Sequence, residues 1–325
     1  MSGGHGKFTA GAIAVLVLGI ILMLWAKNEY VFFASYVVLQ FVVLATAWNI
    51  LGGYAGYVNF GTAAFFALGG YTAVFAIKSM GAPLLVQIAL AAAVCGLLGL
   101  IIGLLSLRLR GIFFSIATVA MTIIIETCIT NSEYLGGAKG IQLTRPPPTA
   151  PFTSYIEFLF FVMLCMAVIA VAIARYVENS WIGRGLRAIR DNEEAAESVG
   201  VPTLKLKLIA TVISGALMGA AGAPMPMYLN FIEPVSAFSL NYSVSALAMP
   251  IIGGTSSWIG PVIGALLLAS VQQAVTVTIS SELNVLIIGV LLVFFVVAAP
   301  DGILGLVRKF RAGRGGDATQ GKPAP

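Results

Sequence analysis

Hydrophobic and polar positions divide this chain into long apolar runs separated by short polar connections. Ten stretches are predominantly apolar: residues 9–26, 31–51, 57–77, 84–107, 112–130, 155–174, 205–224, 242–254, 261–279 and 284–307. A helix rising about 1.5 Å per residue needs about 20 such residues to cross a bilayer. The alternating segments of about ten residues that a transmembrane barrel requires do not occur. The pattern predicts an all-α polytopic membrane protein with about 10 transmembrane helices. The first, third and eighth stretches fit least well. The third is rich in glycine, and the eighth crosses only if tilted or extended. Should the third and eighth be re-entrant, the count becomes eight.

Composition agrees with the pattern. The chain has 325 residues, of which 59% are hydrophobic and only 10% charged, and its mean hydropathy is +0.99. Soluble domains carry about 25% charged residues. The run from Phe8 to Trp25 is long for a signal sequence and reads as a first span. One transmembrane domain is expected over 1–310, followed by a polar, disordered tail over 311–325.

Charge orients the spans. With ten crossings and an N-terminus inside, 14 of the 18 basic residues fall on inner connections. The other four, Lys27, Lys78, Lys139 and Arg145, fall outside. This is the positive-inside distribution, and it places both termini in the cytoplasm. It also removes the net charge of +5 as a sign of nucleic-acid binding. On the outer side, residues 131–154 are Gly-rich and contain three consecutive prolines, so they form a loop. It reads as a stiff connection or as part of a docking surface for an external partner.

Candidate chemistry is sparse. No phosphate-cradling G-x-x-x-x-G-K-[ST] loop is present, His5 has no partner, and Glu126 is the one carboxylate well inside an apolar run. Cys95, Cys128 and Cys165 lie in apolar runs without metal-ligand spacing and read as small buried hydrophobes. Neither a metal nor a bound cofactor is expected, and no residue suggests an enzyme.

The main polar feature is an island from Arg175 to Lys207, holding six of the 18 basic and five of the 13 acidic residues. Within it, Asp191 is placed to cap a short helix with Glu194 three residues on. Glu193 and Glu194 occupy the first turn, where the macrodipole favours acids. Gly200 and Pro202 mark the helix end. The helix would present Ala195, Ala196 and Val199 to a partner, the small residues allowing close approach. Upstream, Arg184, Arg187 and Arg190 recur every three residues as a basic stripe suited to anionic headgroups of membrane lipid.

Two glycine-rich breaks complete the inventory. One contains Gly52, Gly53, Gly56, Gly61, Gly69 and Gly70; the other contains Gly253, Gly254, Gly260 and Gly264 with Pro250 and Pro261. They read either as close helix packing or as irregular backbone lining a substrate path. In the second reading the path residues are Asn49, Gly56, Asn59, Gly61, Thr62, Gly253, Gly254, Thr255 and Ser256.

Glu194-Ala195-Ala196-x-x-x-Gly200 resembles the E-A-A-x-x-x-G loop of ABC importer permeases. The run 187–223, with 49–73, 249–267 and Gly136-Gly137-Ala138-Lys139-Gly140-Ile141, resembles branched-chain amino-acid permeases of the LivM type. An I-x-L-P following the loop, found in many importer permeases, is missing here. The resemblance implies ATPase coupling through 191–200 and a second permease subunit, a homologue or a copy. It also implies two cytoplasmic ABC ATPases that use the ATP, an extracytoplasmic substrate-binding protein, and a bacterial inner-membrane location. The implied substrates are branched-chain or related hydrophobic amino acids, or, within the same family, urea, short amides or aromatic acids. An ion-coupled secondary transporter acting alone is the reading from another class; it would need a mid-membrane carboxylate and no such loop.

Overall fold

The computed structural model describes residues 3–25, 28–106, 109, 111–147, 152–278, 283–298 and 302–306. The tail expected over 311–325 lies outside them. So do Lys27, Arg108, Arg110, Arg308, Lys309, Arg311, Arg314 and Lys322, on which the charge count drew.

The described chain is helical. It opens with α1 (Gly3–Trp25), α2 (Glu29–Ala55), α3 (Thr62–Met80), α4 (Leu84–Ser106) and α5 (Ile112–Thr130). Two short 3-10 turns and strand β1 (Ile141–Gln142) precede α6 (Tyr155–Asn179), α7 (Trp181–Asp191) and α8 (Glu193–Ser198). Then come α9 (Thr203–Gly222), α10 (Met225–Leu229), β2 (Phe231–Ile232), α11 (Pro234–Ala237), α12 (Leu240–Gly253), α13 (Ile259–Thr278) and α14 (Leu283–Ala298). Each of the ten apolar stretches contains a helix, although residues 57–61 of the third are irregular.

Eight segments among the described residues are long and apolar enough to cross a membrane, including Thr62–Met80 and Pro234–Gly253. The third and eighth stretches are therefore full-length candidates, not the weak pair. The eighth gains its length from α11, which continues the span N-terminal to α12. The shorter helices are at the ends: Phe8–Met23 within α1, and α14 with 16 residues.

α2 is the central element. It is apolar on every face, as a helix surrounded by others must be, and residues 40–51 are buried without interruption. α6, α9, α12 and α13 pack around it, while α7 lies against its C-terminal part. Hydrophobic burial drives little helix association inside a bilayer, so fit between surfaces has to do it. The glycines supply that fit. A Cβ on Gly222 of α9 would lie 1.9 Å from Phe66 O of α3, and one on Gly253 would lie 1.8 Å from Gly260 O across the α12–α13 hairpin.

At the end remote from the island, β1 pairs antiparallel with β2, Ile141 opposite Ile232 and Gln142 opposite Phe231. Arg145 donates from Nε to Met227 O at 2.9 Å and from Nη2 to Tyr228 O. These bonds tie the proline-rich loop to the far end of α10.

Candidate coupling site and the glycine-rich breaks

α7 begins at Ser180, whose Oγ accepts from Ile182 N at 3.2 Å and Gly183 N at 3.4 Å. Leu186 and Ile189 are buried in a cluster with Ile50, Leu51 and Tyr54 of α2. The opposite face carries the arginine stripe, exposed as the three-residue spacing requires. Its guanidiniums reach helix ends as well as solvent. Arg184 Nη1 donates to Asn179 O at 3.3 Å, Arg187 Nη2 to Glu178 O at 3.2 Å and Arg190 Nη1 to Gly53 O at 2.8 Å. All three acceptors are near the C-termini of α6 or α2, where carbonyls lack intrahelical donors and the macrodipole favours cations.

The cap of α8 differs from the sequence expectation. Asp191 is the last residue of α7, and Asn192 is the N-cap, its Oδ1 accepting from Ala195 N at 3.0 Å. The reason is the extended backbone at Asn192 (φ −162°, ψ 108°), which breaks α7 from α8 one residue later than the pattern suggests. Glu193 and Glu194 do occupy the first turn. At the other end Gly200 has φ +86°. Gly200 N donates to Glu197 O at 2.9 Å and Val201 N to Ala196 O at 3.0 Å, the two bonds of a Schellman ending.

The faces of α8 also sort differently. Ala196 is 4% exposed and packs inward, whereas Glu194, Ala195 and Ser198 are exposed and Val199 is 79% exposed. Glu193 turns inward as well. Its Oε1 lies 2.7 Å from Lys207 Nζ on α9, and Tyr57 Oη donates to its Oε2 at 2.5 Å. Lys207 Nζ donates to Tyr57 Oη at 3.0 Å and lies 4.8 Å from the Tyr57 ring centroid. Lys207 is 3% exposed. A buried ammonium without a counter-charge is costly, so this network fixes α8 to α9 and to the segment after α2. Sequence reasoning passed over Lys207 and Tyr57. The available signal was a lysine in the first turns of an apolar helix, where the macrodipole disfavours a cation.

A second carboxylate joins three elements. Glu178 Oε2, near the end of α6, accepts from Trp258 N at 2.6 Å and from Tyr54 Oη at 3.3 Å. The second break is thereby held to the ends of α6 and α2.

The structure brings the two breaks together. A Cβ on Gly53 would lie 2.9 Å from Thr255 O. After α2 the chain reverses at Gly56, φ +76°, and runs back along α2 until Trp48 Nε1 donates to Asn59 O at 2.7 Å. Trp48 precedes the end of α2 by about 10 Å of helix, so Asn59 lies within the bundle. Non-helical backbone there needs partners, and side chains supply them. Thr118 Oγ1 accepts from Phe60 N at 3.1 Å, Ser243 Oγ donates to Phe60 O at 2.6 Å and accepts from Ala63 N at 3.0 Å. Asn59 Oδ1 accepts from Gly61 N at 2.7 Å.

Of the proposed path residues, Asn49, Asn59 and Thr62 are buried. Neither amide atom of Asn49 nor the Thr62 hydroxyl has a hydrogen-bonding partner among the described residues. Gly253 and Gly254 are buried at the hairpin, Thr255 is half-buried, and Ser256 is exposed. A cavity of about 560 Å³ opens between Gly56, Val58, Ile112, Arg190 and Glu193, directly beneath α8.

A many-helix membrane bundle with a folded polar island fixed to its central helices is the architecture of a transport permease. Residues 30–296 match the family described as branched-chain amino acid transport system / permease component, and the chain belongs to that family. It is similar to the high-affinity branched-chain amino acid transport system permease protein LivM of Escherichia coli, 26% identical over 91% of this chain and 75% of that one. The LivH permease of the same organism is 25% identical over 46% of this chain and 47% of its own length. The ribose import permease RbsC of Haemophilus influenzae is 30% identical over 42% of this chain and 44% of its own.

Proposed function

We propose that the chain is the transmembrane permease subunit of an ABC importer for branched-chain or related hydrophobic amino acids in a bacterial inner membrane. The observation that carries the reading is the Glu193–Lys207–Tyr57 network. It couples the short helix that bears Glu194 and Ala195 and is closed by Gly200 to α9 and to the irregular segment beside α2. A displacement of α8 by an ATPase is then transmitted to α9 and to the first break together.

In this reading one of two cytoplasmic ATPases docks on the exposed face of α8; the ATPases consume the ATP, while this chain makes no bond. A second permease subunit completes the pathway, and an extracytoplasmic binding protein delivers substrate. Nucleotide shifts the balance between inward- and outward-open states by binding one more tightly than the other. Asn49, Gly56, Asn59, Gly61, Thr62, Gly253, Gly254, Thr255 and Ser256 are assigned to the path. The irregular backbone at residues 59–61 and 254–256 and the unpartnered polar atoms of Asn49 and Thr62 support this assignment.

Reconstitution tests the proposal. Proteoliposomes containing this chain, the second permease, both ATPases, the binding protein and internal ATP should accumulate leucine, and omission of any one should abolish uptake. Uptake by this chain alone, without ATP, would overturn the reading.

A further inference from the structure

α1 packs unevenly against the bundle. A Cβ on Gly19 would lie 2.2 Å from Leu164 of α6, whereas nothing lies within 4 Å of one on Gly11. Between these points the helix leaves a fissure against α2, α6 and α13. Cavities of about 410 Å³ and 540 Å³ lie along it, adjoining at Val15, Leu39, Leu164 and Leu266, which line both. The cavity nearer the island is lined almost wholly by aliphatic side chains. From Phe8 to Leu22 the fissure follows about 21 Å of helix, longer than the ~15 Å of one leaflet.

The island end of the fissure is closed by a different chemistry. Phe8 and Trp258 meet edge to face with centroids 5.5 Å apart. The Arg175 guanidinium lies 4.3 Å from the Phe8 ring centroid and 5.7 Å from that of Trp258. Aromatic rings and a basic side chain together mark the level of lipid headgroups. A basic pocket between spans at that level attracts anionic headgroups.

We infer that this fissure is a binding site for one anionic glycerophospholipid from the island-side leaflet. An acyl chain would lie between α1 and the α2–α6–α13 wall, with the phosphate at Arg175. Arg175 is suited to this because a guanidinium can stack on aromatic rings while its N–H groups engage phosphate oxygens. The site depends only on the membrane-spanning character of the bundle and stands whether or not the transport reading holds.

The experiment is native mass spectrometry of the full chain released from nanodiscs of equimolar phosphatidylglycerol and phosphatidylcholine with matched acyl chains. One phosphatidylglycerol should be retained about fivefold over phosphatidylcholine, the ~1 kcal/mol that one basic residue contributes at an anionic surface. Arg175→Gln should abolish that preference without removing the bound lipid. Val15→Phe and Ala12→Trp, each filling the fissure, should remove the lipid while circular dichroism remains that of the parent chain. Equal retention of both lipids, a preference that survives Arg175→Gln, or lipid that survives both filling variants would overturn the proposal. A cross-link from Val15→Cys to the second permease in the assembled transporter would also overturn it, since the fissure would then hold a protein helix.

Discussion

Lys207 Nζ and Glu193 Oε1 are 2.7 Å apart in a site where the lysine is 3% and the glutamate 14% exposed. The two residues belong to different elements, α9 and α8, and Tyr57 completes the contact by donating to Glu193 and accepting from Lys207. A short exposed helix of six residues has little stability of its own. Its position is set by this pair, by Ala196 against the core, and by the Asn192 and Gly200 ends.

Removing one charge of the pair exposes its energetic role. Lys207→Met should destabilise the protein by about 3 kcal/mol, because the carboxylate stays partly buried without its cation. Thermal unfolding in detergent measures this. Lys207→Met combined with Glu193→Gln should recover at least half of the loss. In the assembled transporter both variants should consume ATP with reduced uptake.

Tyr57→Phe is a gentler test. It keeps the ring packed edge to face on Phe114, centroids 5.2 Å apart, and removes only the hydroxyl. A loss of about 1–2 kcal/mol is expected, since Glu193 loses one charged hydrogen bond. If the network transmits motion, uptake per ATP hydrolysed should fall while insertion is unchanged.

Adjacent alanines on α8 should separate docking from folding. Ala195→Trp points outward and should leave the unfolding free energy within about 0.5 kcal/mol of the parent, yet block ATPase binding in a pull-down. Ala196→Trp points into the core and should destabilise by about 1–3 kcal/mol through overpacking. Equal effects of the two substitutions on ATPase binding would argue against docking on the Glu194–Ala195 face.

Gly253→Ala should destabilise the α12–α13 hairpin, because its Cβ would lie 1.8 Å from a backbone oxygen that cannot rotate away. The expected cost is about 1–3 kcal/mol. Gly200→Ala meets no atom within 4 Å and should cost about 1 kcal/mol for its left-handed backbone alone.

Asn49→Leu distinguishes a packing role from a path role. Removing an unpartnered buried amide should leave the fold as stable as the parent or slightly more so. Leucine uptake by the reconstituted transporter should nonetheless drop at least about tenfold, the factor that corresponds to 1.4 kcal/mol of lost interaction. Unchanged uptake would remove Asn49 from the path.

The sequence by itself determined the class of fold, the apolar helices that build it and the folded polar island, while eight described segments are long and apolar enough to cross a membrane. Each rests on local physics: runs of apolar residues long enough for a bilayer, helix-capping chemistry at Gly200, and acids in the first turn of α8. It left the exact cap undecided because Asp191 and Asn192 are both competent, and the backbone break at Asn192 selects one. Tertiary structure alone decided which face of α8 is inward, because Ala195 and Ala196 are chemically identical. It also decided the partners of the charged residues. Lys207 and Glu193 are separated by 14 positions and Tyr57 by 136 more, and no local pattern encodes which of many charges will meet. The glycine runs show the same limit. Their composition permits close packing anywhere, and only the assembled bundle shows Gly53 facing Thr255, Gly222 facing Phe66 and the chain between α2 and α3 folded back into the core.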